Sequence, residues 1–374
     1  MKVALVHDFL VEYGGGERVL EALHEIFPQA PIYTAYFDLK GFGPHKDRIK
    51  TWDIKTSWMQ WFPRKFISPF RIFAPSIFQG FDLSGYDLVI SSCNTYFAKA
   101  VKTKALHISY IHTPPRYLYG YATSFNYKKH LITRVLGELA NHFLRLYDFT
   151  SSQKPDILVA NSKEVQRRIK KFYGRDSVLV YPPVEFRIQN SEFIIKTKDY
   201  FISVNRLVRG KGTEVTVEMC TKLKILLKVV GGGPELERLK SLSGKSIEFL
   251  GEVSDEEKNN LLAGAKALIV ASEDEDFGIT AVEAQAVGTP VIAIKQGGYL
   301  ETVIPGKTGI FFENPDELIQ ILKSFSTTKY RAENCIKNAQ KFSIERFKKE
   351  VLTLVDKYRL IYPPYGKRKS KSSS

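Results

Sequence analysis

Short apolar runs alternate with amphipathic segments along most of the chain. The runs are rich in Val and Ile, and several end in Gly, Asn, Ser or His. The segments between them repeat apolar residues at helical spacing, as in Glu17–Ile26 and Glu164–Phe172. Such alternation is typical of βαβ units, in which helices cover both faces of a parallel sheet. The predicted strands are Val3–Val6, Leu88–Ser91, His107–Ile111, Ile157–Ala160, Phe201–Val204, Ile225–Val230, Ala267–Val270 and Pro290–Ile294.

The alternation occurs twice, and a polar stretch without periodicity, residues 185–198, separates the two sets. We therefore predict two doubly wound α/β domains, over residues 1–190 and 191–345. Ligands of such sheets bind at the carboxyl ends of the strands, so we expect a cleft where the two sheets face each other. A C-terminal helix over 346–362, at the end of a helical pattern that starts at residue 332, is predicted to cross back to the first domain. The basic tail, 363–374, is predicted to be disordered.

The net charge of +15 is strongly positive, and most of the excess lies in the first 190 residues and in the tail. A basic first half suits an anionic partner, such as lipid head groups, a phosphorylated acceptor or nucleic acid. No helix-turn-helix, zinc-finger or aromatic RNA-binding signature is recognisable in the sequence. A basic nucleic-acid-binding protein is therefore the alternative from another class, and we expect no nucleic acid partner.

The three cysteines, Cys93, Cys220 and Cys335, are far apart in the sequence. They form no ligand-type spacing and no disulfide framework, so we expect free thiols in a reducing compartment. No run of about 18 apolar residues is present, and the first residues have the pattern of a strand and not of a signal peptide. We therefore expect a cytoplasmic protein without a membrane span.

The most specific segment follows the predicted strand Ala267–Val270, where an acidic loop leads into a helix that begins near Ile279. Gly278 lets the backbone approach a ligand closely, and the first N–H groups of the helix favour a phosphate. Glu275 on the loop can accept hydrogen bonds from sugar hydroxyls, and Glu283 lies about two helical turns further on, where it can reach a ribose diol. Singly these acids are ordinary surface residues, but the whole pattern predicts a sugar-phosphate site.

Two further segments carry candidate anion-binding residues next to predicted strands. Arg206 and Lys211 flank the loop after Phe201–Val204, where two cations can clamp a diphosphate. Gly15 and Gly16 precede a helix and allow an anion to approach its N-terminus. Alone, the first pair is equally well explained by a solvated basic loop, and a short glycine run is weak support for a site.

Together these segments resemble the retaining glycosyltransferases of family 4, which have the GT-B fold of two Rossmann-like domains. Glu275 and Glu283 match the E-x7-E region of that family. Arg206 and Lys211 match its Arg-x4-Lys motif, with Asn205 in place of the usual Gly. The resemblance spans nearly the whole chain and is strongest over residues 200–312.

The resemblance implies a role for each candidate residue. The family residue that matches Glu275 contacts the transferred sugar, and the one that matches Glu283 holds the nucleotide ribose. Arg206 and Lys211 are implied to hold the donor diphosphate. His112, at the end of a predicted strand, matches a family His near the donor sugar, although a lone His is more often structural. Further donor contacts are implied for Gly15, Gly16, Phe277, Gly278 and Ile279.

The resemblance implies a reaction that transfers a sugar with retention of anomeric configuration and needs no metal or other cofactor. The lack of a recognisable metal-ligand spacing in the sequence agrees with this. The segments that begin at His7 and His112 look like those of mannosyltransferases of surface-polysaccharide or glycolipid assembly. We therefore expect GDP-mannose as the donor, with a UDP-sugar as the alternative, and a glycan or lipid-linked acceptor. An epimerase or phosphorylase on the same fold is the rival within enzymes.

The segment Trp58–Phe73 mixes aromatic and basic residues, which suits the membrane–water interface. A buried aromatic cluster beneath a surface loop explains the same composition equally well. With the basic first half, the first interpretation predicts peripheral binding to an anionic membrane, on the inner face of the plasma membrane.

Overall fold

A computed structural model describes residues 1–67, 69–94, 97–121, 131–185 and 199–361 of the protein. Within the helix that begins at residue 131, the side chains of residues 131–134 and 136 are not described. Most of the predicted linker, residues 186–198, and the basic tail lie outside the described residues, so the predictions made for them stay predictions.

The described residues form two units, each built around one parallel sheet. The first unit holds residues 1–120, 131–183 and 344–361, and the second consists mainly of 184–185 and 199–343. The strands are β1 (Val3–His7), β2 (Ile32–Thr34), β3 (Ile54–Thr56), β4 (Leu88–Cys93), β5 (Leu106–Ile111), β6 (Ile157–Ala160), β7 (Val178–Leu179), β8 (Phe201–Val204), β9 (Leu227–Val230), β10 (Ile247–Gly251), β11 (Leu268–Val270), β12 (Val291–Ile294) and β13 (Gly309–Phe312).

Helices connect these strands, as the alternating pattern predicts. They are α1 (Gly15–Ile26), α2 (Lys46–Ile49), α3 (Ala74–Gln79), α4 (Leu131–Ser152), α5 (Lys163–Tyr173), α6 (Thr213–Leu223), α7 (Leu236–Leu242), α8 (Asp255–Ala263), α9 (Ile279–Ala286), α10 (Tyr299–Thr302), α11 (Pro315–Ser324), α12 (Ala332–Ala339) and α13 (Ile344–Ile361). Short 3₁₀ turns lie between some of them, including three within residues 58–73.

The strand order is β3-β2-β1-β4-β5-β6-β7 in the first sheet and β10-β9-β8-β11-β12-β13 in the second. Every neighbouring pair is parallel. Each sheet is covered by apolar clusters on both faces, because successive side chains of a strand point to opposite sides. In β1, Ala4 and Val6 pack into one cluster, whereas Val3 and Leu5 pack into the other.

The C-terminal helix α13 belongs to the first unit, although it follows the second unit in the sequence. Its residues Phe347 and Val351 pack in the core of the first unit, and Lys348 Nζ lies 2.6 Å from Glu25 Oε2 of α1. The sequence pattern predicts an uninterrupted helix over 332–361, and this is wrong. Ser343 has extended dihedral angles (φ −68°, ψ 157°) and separates α12, with its 3₁₀ turn, from α13.

Candidate functional site

Two loops of the second unit meet where β8 and β11, neighbours in the sheet, reach their carboxyl ends. The β8–α6 loop contains Gly210, whose carbonyl oxygen accepts a hydrogen bond of 3.2 Å from the Glu273 N–H of the β11–α9 loop. Gly212 approaches the second loop so closely that a Cβ there would lie 1.9 Å from the Ala271 carbonyl oxygen. The two loops are therefore fixed against each other through their backbones.

Lys211 and Glu275 form an ion pair across these two loops. Lys211 Nζ lies 2.9 Å from Glu275 Oε2, and the side chains are 24% and 16% exposed. An ammonium group has three N–H donors, so Lys211 can bond to Glu275 and to a phosphate oxygen at the same time. The sequence pattern indicates both residues as site candidates, but it does not predict that they pair. Arg206 lies on the same loop as Lys211 and is exposed.

The N-terminus of α9 lies directly after the β11–α9 loop. Gly278, its N-cap, has a φ of +88°, and a Cβ there would lie 2.7 Å from the Tyr299 ring. The Phe277 ring is buried against Phe342, with ring centroids 5.3 Å apart, so this residue offers a ligand its backbone and not its ring. The N–H groups of Ile279 and the next residue have no partner within the helix, as in any first helical turn. Such a turn favours an anion.

Glu283 lies on α9 and is 8% exposed. Its Oε1 lies 2.9 Å from Lys258 Nζ on α8, and Lys258 also bonds to Asp255 at 3.0 Å. Sequence reasoning missed Lys258. No spacing within α8 or α9 indicates the contact, because it joins two different helices.

In the first unit, three polar residues lie at the carboxyl ends of the adjacent strands β1, β4 and β5. His7 is paired in register with Ser92, and Ser92 Oγ lies 2.8 Å from His112 Nε2. The first turn of α1 lies over the two histidines. A Cβ at Gly16 would be 3.6 Å from His7 Cε1 and 3.8 Å from His112 Nε2. The structure therefore brings Gly16 and His112 together, as parts of one polar cluster.

His7 and Glu17 extend this cluster. His7 Nε2 lies 3.4 Å from Glu17 Oε1, and both residues are nearly buried. Glu17 Oε2 accepts a hydrogen bond of 2.9 Å from the Gly14 N–H, which fixes the carboxylate at the start of α1. Among the described residues, His7 Nδ1 has no hydrogen-bond partner although it is buried. In the sequence, His7 was used only as part of the family resemblance, and Glu17 was not predicted as a site residue. The pattern that could have indicated Glu17 is its position three residues after Gly14, the first glycine of the run.

Two buried histidines of the first unit are neutral. Burial, and to a smaller extent the nearby His7, lowers the pKa of His112 to about 3. Burial, with smaller effects of Lys154 and Arg175, lowers the pKa of His107 to about 3. At neutral pH His112 therefore acts as a hydrogen-bonding group and not as a cation.

The neutral histidines predict that the first unit loses stability in mild acid. Above pH 6.5 both residues are neutral in the folded and unfolded chains and contribute nothing to pH dependence. Below it the unfolded chain binds protons that the folded chain cannot, so at pH 5 each residue lowers the free energy of unfolding by about 2 kcal/mol. The loss continues down to the folded pKa of about 3.

Urea unfolding at pH 7 and pH 5 tests this, with His107→Gln as the variant. All three tryptophans lie between residues 52 and 61, so their fluorescence reports on the first unit. In the variant, the fall in the free energy of unfolding from pH 7 to pH 5 is expected to be smaller by roughly 2 kcal/mol. This is about half of the fall attributed to the two histidines. An unchanged difference between pH 7 and pH 5 would contradict the assignment of a neutral His107.

Among the described residues, no group of three or more His, Cys, Asp or Glu side chains is placed to hold a metal ion. The three cysteines are free and buried, as predicted. No helix in the described ranges is both long enough and apolar enough to cross a membrane.

Residues 184–342 match the family model "Glycosyl transferases group 1". This range covers nearly all of the second unit, including the Lys211–Glu275 pair and α9. Among curated proteins, an uncharacterized glycosyltransferase of Methanocaldococcus jannaschii is 27% identical over 212 residues, 54% of this chain and 58% of that protein. The alpha-1,3/1,6-mannosyltransferase of Dictyostelium discoideum is 32% identical over 154 residues, 34% of this chain and 36% of that protein. The matches thus span about a third to three fifths of these relatives' length.

Solved structures resemble the chain over almost its whole length. A sucrose-phosphate synthase from Thermosynechococcus elongatus superposes with a TM-score of 0.74 at 17% identity, covering 96% of this chain and 100% of that chain. HepE of Anabaena, in complex with UDP and glucose, superposes with a TM-score of 0.70 at 17% identity, with the same coverage. The predicted fold class, GT-B with two Rossmann-like parallel-sheet domains, is confirmed.

Proposed function

We propose that the protein is a glycosyltransferase that moves a sugar from a nucleotide-sugar donor to an acceptor hydroxyl. One observation carries the proposal. A lysine, a carboxylate and the N-terminus of α9, whose N-cap is a glycine without a side chain, lie at the carboxyl ends of two adjacent strands. All three lie within the residues that match the family model. A cation and helix N–H groups suit a diphosphate, and the carboxylate suits sugar hydroxyls.

In the proposed reaction the bond between the anomeric carbon and the diphosphate oxygen breaks, and the diphosphate leaves with the electron pair. Lys211, Arg206 and the first N–H groups of α9 stabilise the charge that develops on it. The acceptor oxygen bonds to the anomeric carbon, and its proton passes to the departing diphosphate. We propose that bond breaking and bond making occur on one face of the sugar, which retains the anomeric configuration, as the family 4 resemblance implies.

Glu275 is proposed to orient the transferred sugar, and the ion pair with Lys211 supports this because it holds the carboxylate at the strand end. Glu283 is proposed to hold the nucleotide ribose. His112 is proposed to orient the sugar as a neutral hydrogen-bonding group, with Ser92 fixing its ring. We expect that the reaction needs no metal ion. A nucleic-acid-binding function is not supported by the comparisons.

For the donor we propose GDP-mannose. The support is the mannosyltransferase relative and the sequence segments that begin at His7 and His112. A UDP-sugar is the second candidate, because structures of HepE contain UDP, UDP with glucose, or UDP-glucose.

For the acceptor we propose a glycan or a lipid-linked sugar at the inner face of the plasma membrane, to which the protein binds peripherally. The support is the excess of positive charge and the exposure of aromatic side chains in the segment 58–73, above all Trp61, which is 89% exposed. Membrane fractions are therefore the first source of acceptor to assay.

The proposal is tested by incubating the protein and a membrane extract with radiolabelled GDP-mannose, UDP-glucose or UDP-galactose and measuring label in lipid and glycan fractions. We expect label from GDP-mannose. Label from a UDP-sugar alone would replace the proposed donor and keep the activity. The absence of transfer from every donor, with purified protein that binds no nucleoside diphosphate, would contradict the function.

The ribose role of Glu283 gives a separate prediction. Glu283→Gln removes the charge that accepts the ribose hydroxyls, whereas Lys258 keeps Asp255 as a partner, so the fold is expected to survive. We expect about a tenfold weaker affinity for the nucleoside diphosphate, measured by calorimetric titration. Glu248→Gln is the control, since Glu248 is also paired with a lysine at 2.9 Å but is 57% exposed on β10. Equal affinities for the two variants would remove Glu283 from the site.

A further inference from the structure

Helix α4 presents an apolar stripe to the solvent. Its exposed apolar residues follow one another at intervals of four, four, three and three, which places them on one face of the helix. Each is about half exposed or more, with exposed fractions from 47% to 63%. These residues, which we call the α4 stripe, are Val135, Leu139, Phe143, Leu146 and Phe149.

The opposite face of α4 is anchored in the first unit by buried polar contacts. Asp148 is fully buried, and its Oδ1 lies 2.5 Å from Lys99 Nζ, which is also fully buried. Its Oδ2 accepts a hydrogen bond of 2.8 Å from the Tyr119 hydroxyl. A buried charged pair is costly to break, so α4 cannot rotate to bury the stripe within this unit. The stripe therefore stays on the surface, where large apolar patches mark sites of interaction.

Exposed cations lie on α5, the helix that packs against α4. Helix α5 packs next to α4 and carries a positively charged outer face. Arg167 is salt-bridged to Glu164 and Lys170 to Asp176, and the sequence of α5 contains five cations and one acid. The exposed cations of α5 are Lys163, Arg167, Lys170 and Lys171.

The aromatic-basic segment 58–73 is linked to α4 indirectly, through α3 and through the turn at residues 116–118. Gln79 Nε2 of α3 lies 3.4 Å from the Tyr147 hydroxyl of α4. The Arg71 guanidinium lies over the Tyr117 ring, 4.5 Å from its centroid, and Arg145 of α4 donates to the Leu118 carbonyl at 3.2 Å. The segment that exposes Trp58, Trp61, Phe62, Ile72 and Phe73 therefore lies in the same unit as the stripe and is connected to α4 through these intermediate elements.

We propose that the α4 stripe is the surface with which this protein inserts into an anionic lipid bilayer. The helix lies in the plane of the interface, its apolar face enters the boundary of the acyl chains, and the cations of α5 contact the lipid phosphates. A helix of 22 residues extends about 33 Å along that plane. The charge of α5 favours a bilayer over a second copy of this chain, because a two-fold pair through the stripe would bring two cationic α5 faces close together.

This inference rests on the proposed membrane partner and not on the donor site. It adds a second membrane-binding surface to the segment 58–73, which is the only candidate for membrane contact that the sequence pattern indicates. The test is co-sedimentation of the full chain with vesicles of phosphatidylcholine and phosphatidylglycerol in equal parts, with pure phosphatidylcholine vesicles as the comparison.

The first variant is the double substitution Leu139→Gln and Leu146→Gln, in which both residues are 56% exposed. We expect its partition coefficient on anionic vesicles to fall about tenfold or more, because two apolar side chains no longer enter the acyl boundary. The matched control is the double substitution Leu226→Gln and Leu300→Gln in the second unit, with exposed fractions of 54% and 53%. The control is expected to bind vesicles like the original chain.

The second variant, Lys170→Gln with Lys171→Gln, removes two cations of α5. We expect its affinity for anionic vesicles to be about tenfold lower than that of the original chain. We also expect its binding to depend less strongly on the salt concentration. Circular dichroism spectra and nucleoside-diphosphate binding measured in parallel show that each variant is folded.

Three outcomes would overturn the inference. If the original chain does not bind anionic vesicles, both the membrane partner and the docking surface are wrong. If Trp61→Ala weakens binding but the α4 double variant does not, the segment 58–73 is the membrane contact and the stripe is not. If the original chain forms dimers that the α4 variant cannot form, with vesicle binding unchanged, the stripe binds a second copy. None of these outcomes depends on whether the proposed donor is correct.

Discussion

Lys211→Ala is expected to lower kcat/KM for sugar transfer about 100- to 1,000-fold, the loss typical when one group that stabilises developing charge is removed. The lysine lies between the strand end and α6, with its ammonium 2.9 Å from Glu275. In the proposed reaction the departing diphosphate then lacks a cation, and the partly buried Glu275 carboxylate, left without its partner, repels it. Steady-state transfer assays, with whichever donor gives label in the transfer experiment, measure the effect.

The matched control is Lys228→Ala. Lys228 lies in the same unit, forms an ion pair of the same length, 2.9 Å, with Glu248, and is 26% exposed, against 24% for Lys211. Its loss is expected to change kcat/KM less than threefold, because Lys228 has no part in the proposed reaction. Its ion pair, with Glu248 57% exposed, contributes only about 1 kcal/mol or less to stability. Equal losses of activity in the two variants would show that Lys211 acts through stability and not through the diphosphate.

Gly212→Ala is expected to destabilise the second unit by about 4 kcal/mol or more, the range reached when a substitution conflicts with a fixed backbone. Gly212 has a φ of +68°, and a Cβ would lie 1.9 Å from the Ala271 carbonyl oxygen, so the two site loops must move apart. Calorimetry and far-ultraviolet circular dichroism measure the loss. Tryptophan fluorescence, which reports on the first unit, serves as the internal reference.

Gly306→Ala separates the effect of a positive φ on stability from the effect of a steric clash. Gly306 lies in the same unit with a φ of +73°, but no atom lies within 4 Å of the position of its Cβ. It is expected to cost only about 1–2 kcal/mol, the strain of a left-handed conformation. If Gly212→Ala were as mild as Gly306→Ala, the close packing of the two loops would be wrong.

The period of the apolar positions predicted the central strands of both sheets to within a few residues. Strands β1, β4, β5, β6, β8, β9, β11 and β12 consist mostly of apolar residues because helices cover both faces of each sheet. The prediction omitted shorter or more polar strands, such as β2 and β7 with three and two residues, since so few residues show no period. It also missed the break at Ser343, because apolar residues continue at helical spacing on both sides of it.

The candidate site was predictable where it depends on the order of residues after a strand, and not where it depends on contacts between distant segments. Lys211, Glu275 and Gly278 follow strand ends, so the sequence places them at one edge of a parallel sheet. The Lys258–Glu283 pair joins two helices, and no spacing within either helix predicts it. The exposure of the α4 stripe could not be predicted from the sequence, because an amphipathic pattern does not show whether the apolar face of the helix is covered by other residues.

The most direct test of the central claim is calorimetric titration of GDP and UDP into the original chain, Lys211→Ala and Lys228→Ala. If Lys211 holds the donor diphosphate, the original chain and Lys228→Ala bind one of the two nucleotides with the same affinity. Lys211→Ala then binds it at least about tenfold more weakly, a difference of about 1.4 kcal/mol. Equal affinity of all three proteins, or no binding of either nucleotide by the original chain, would contradict the account.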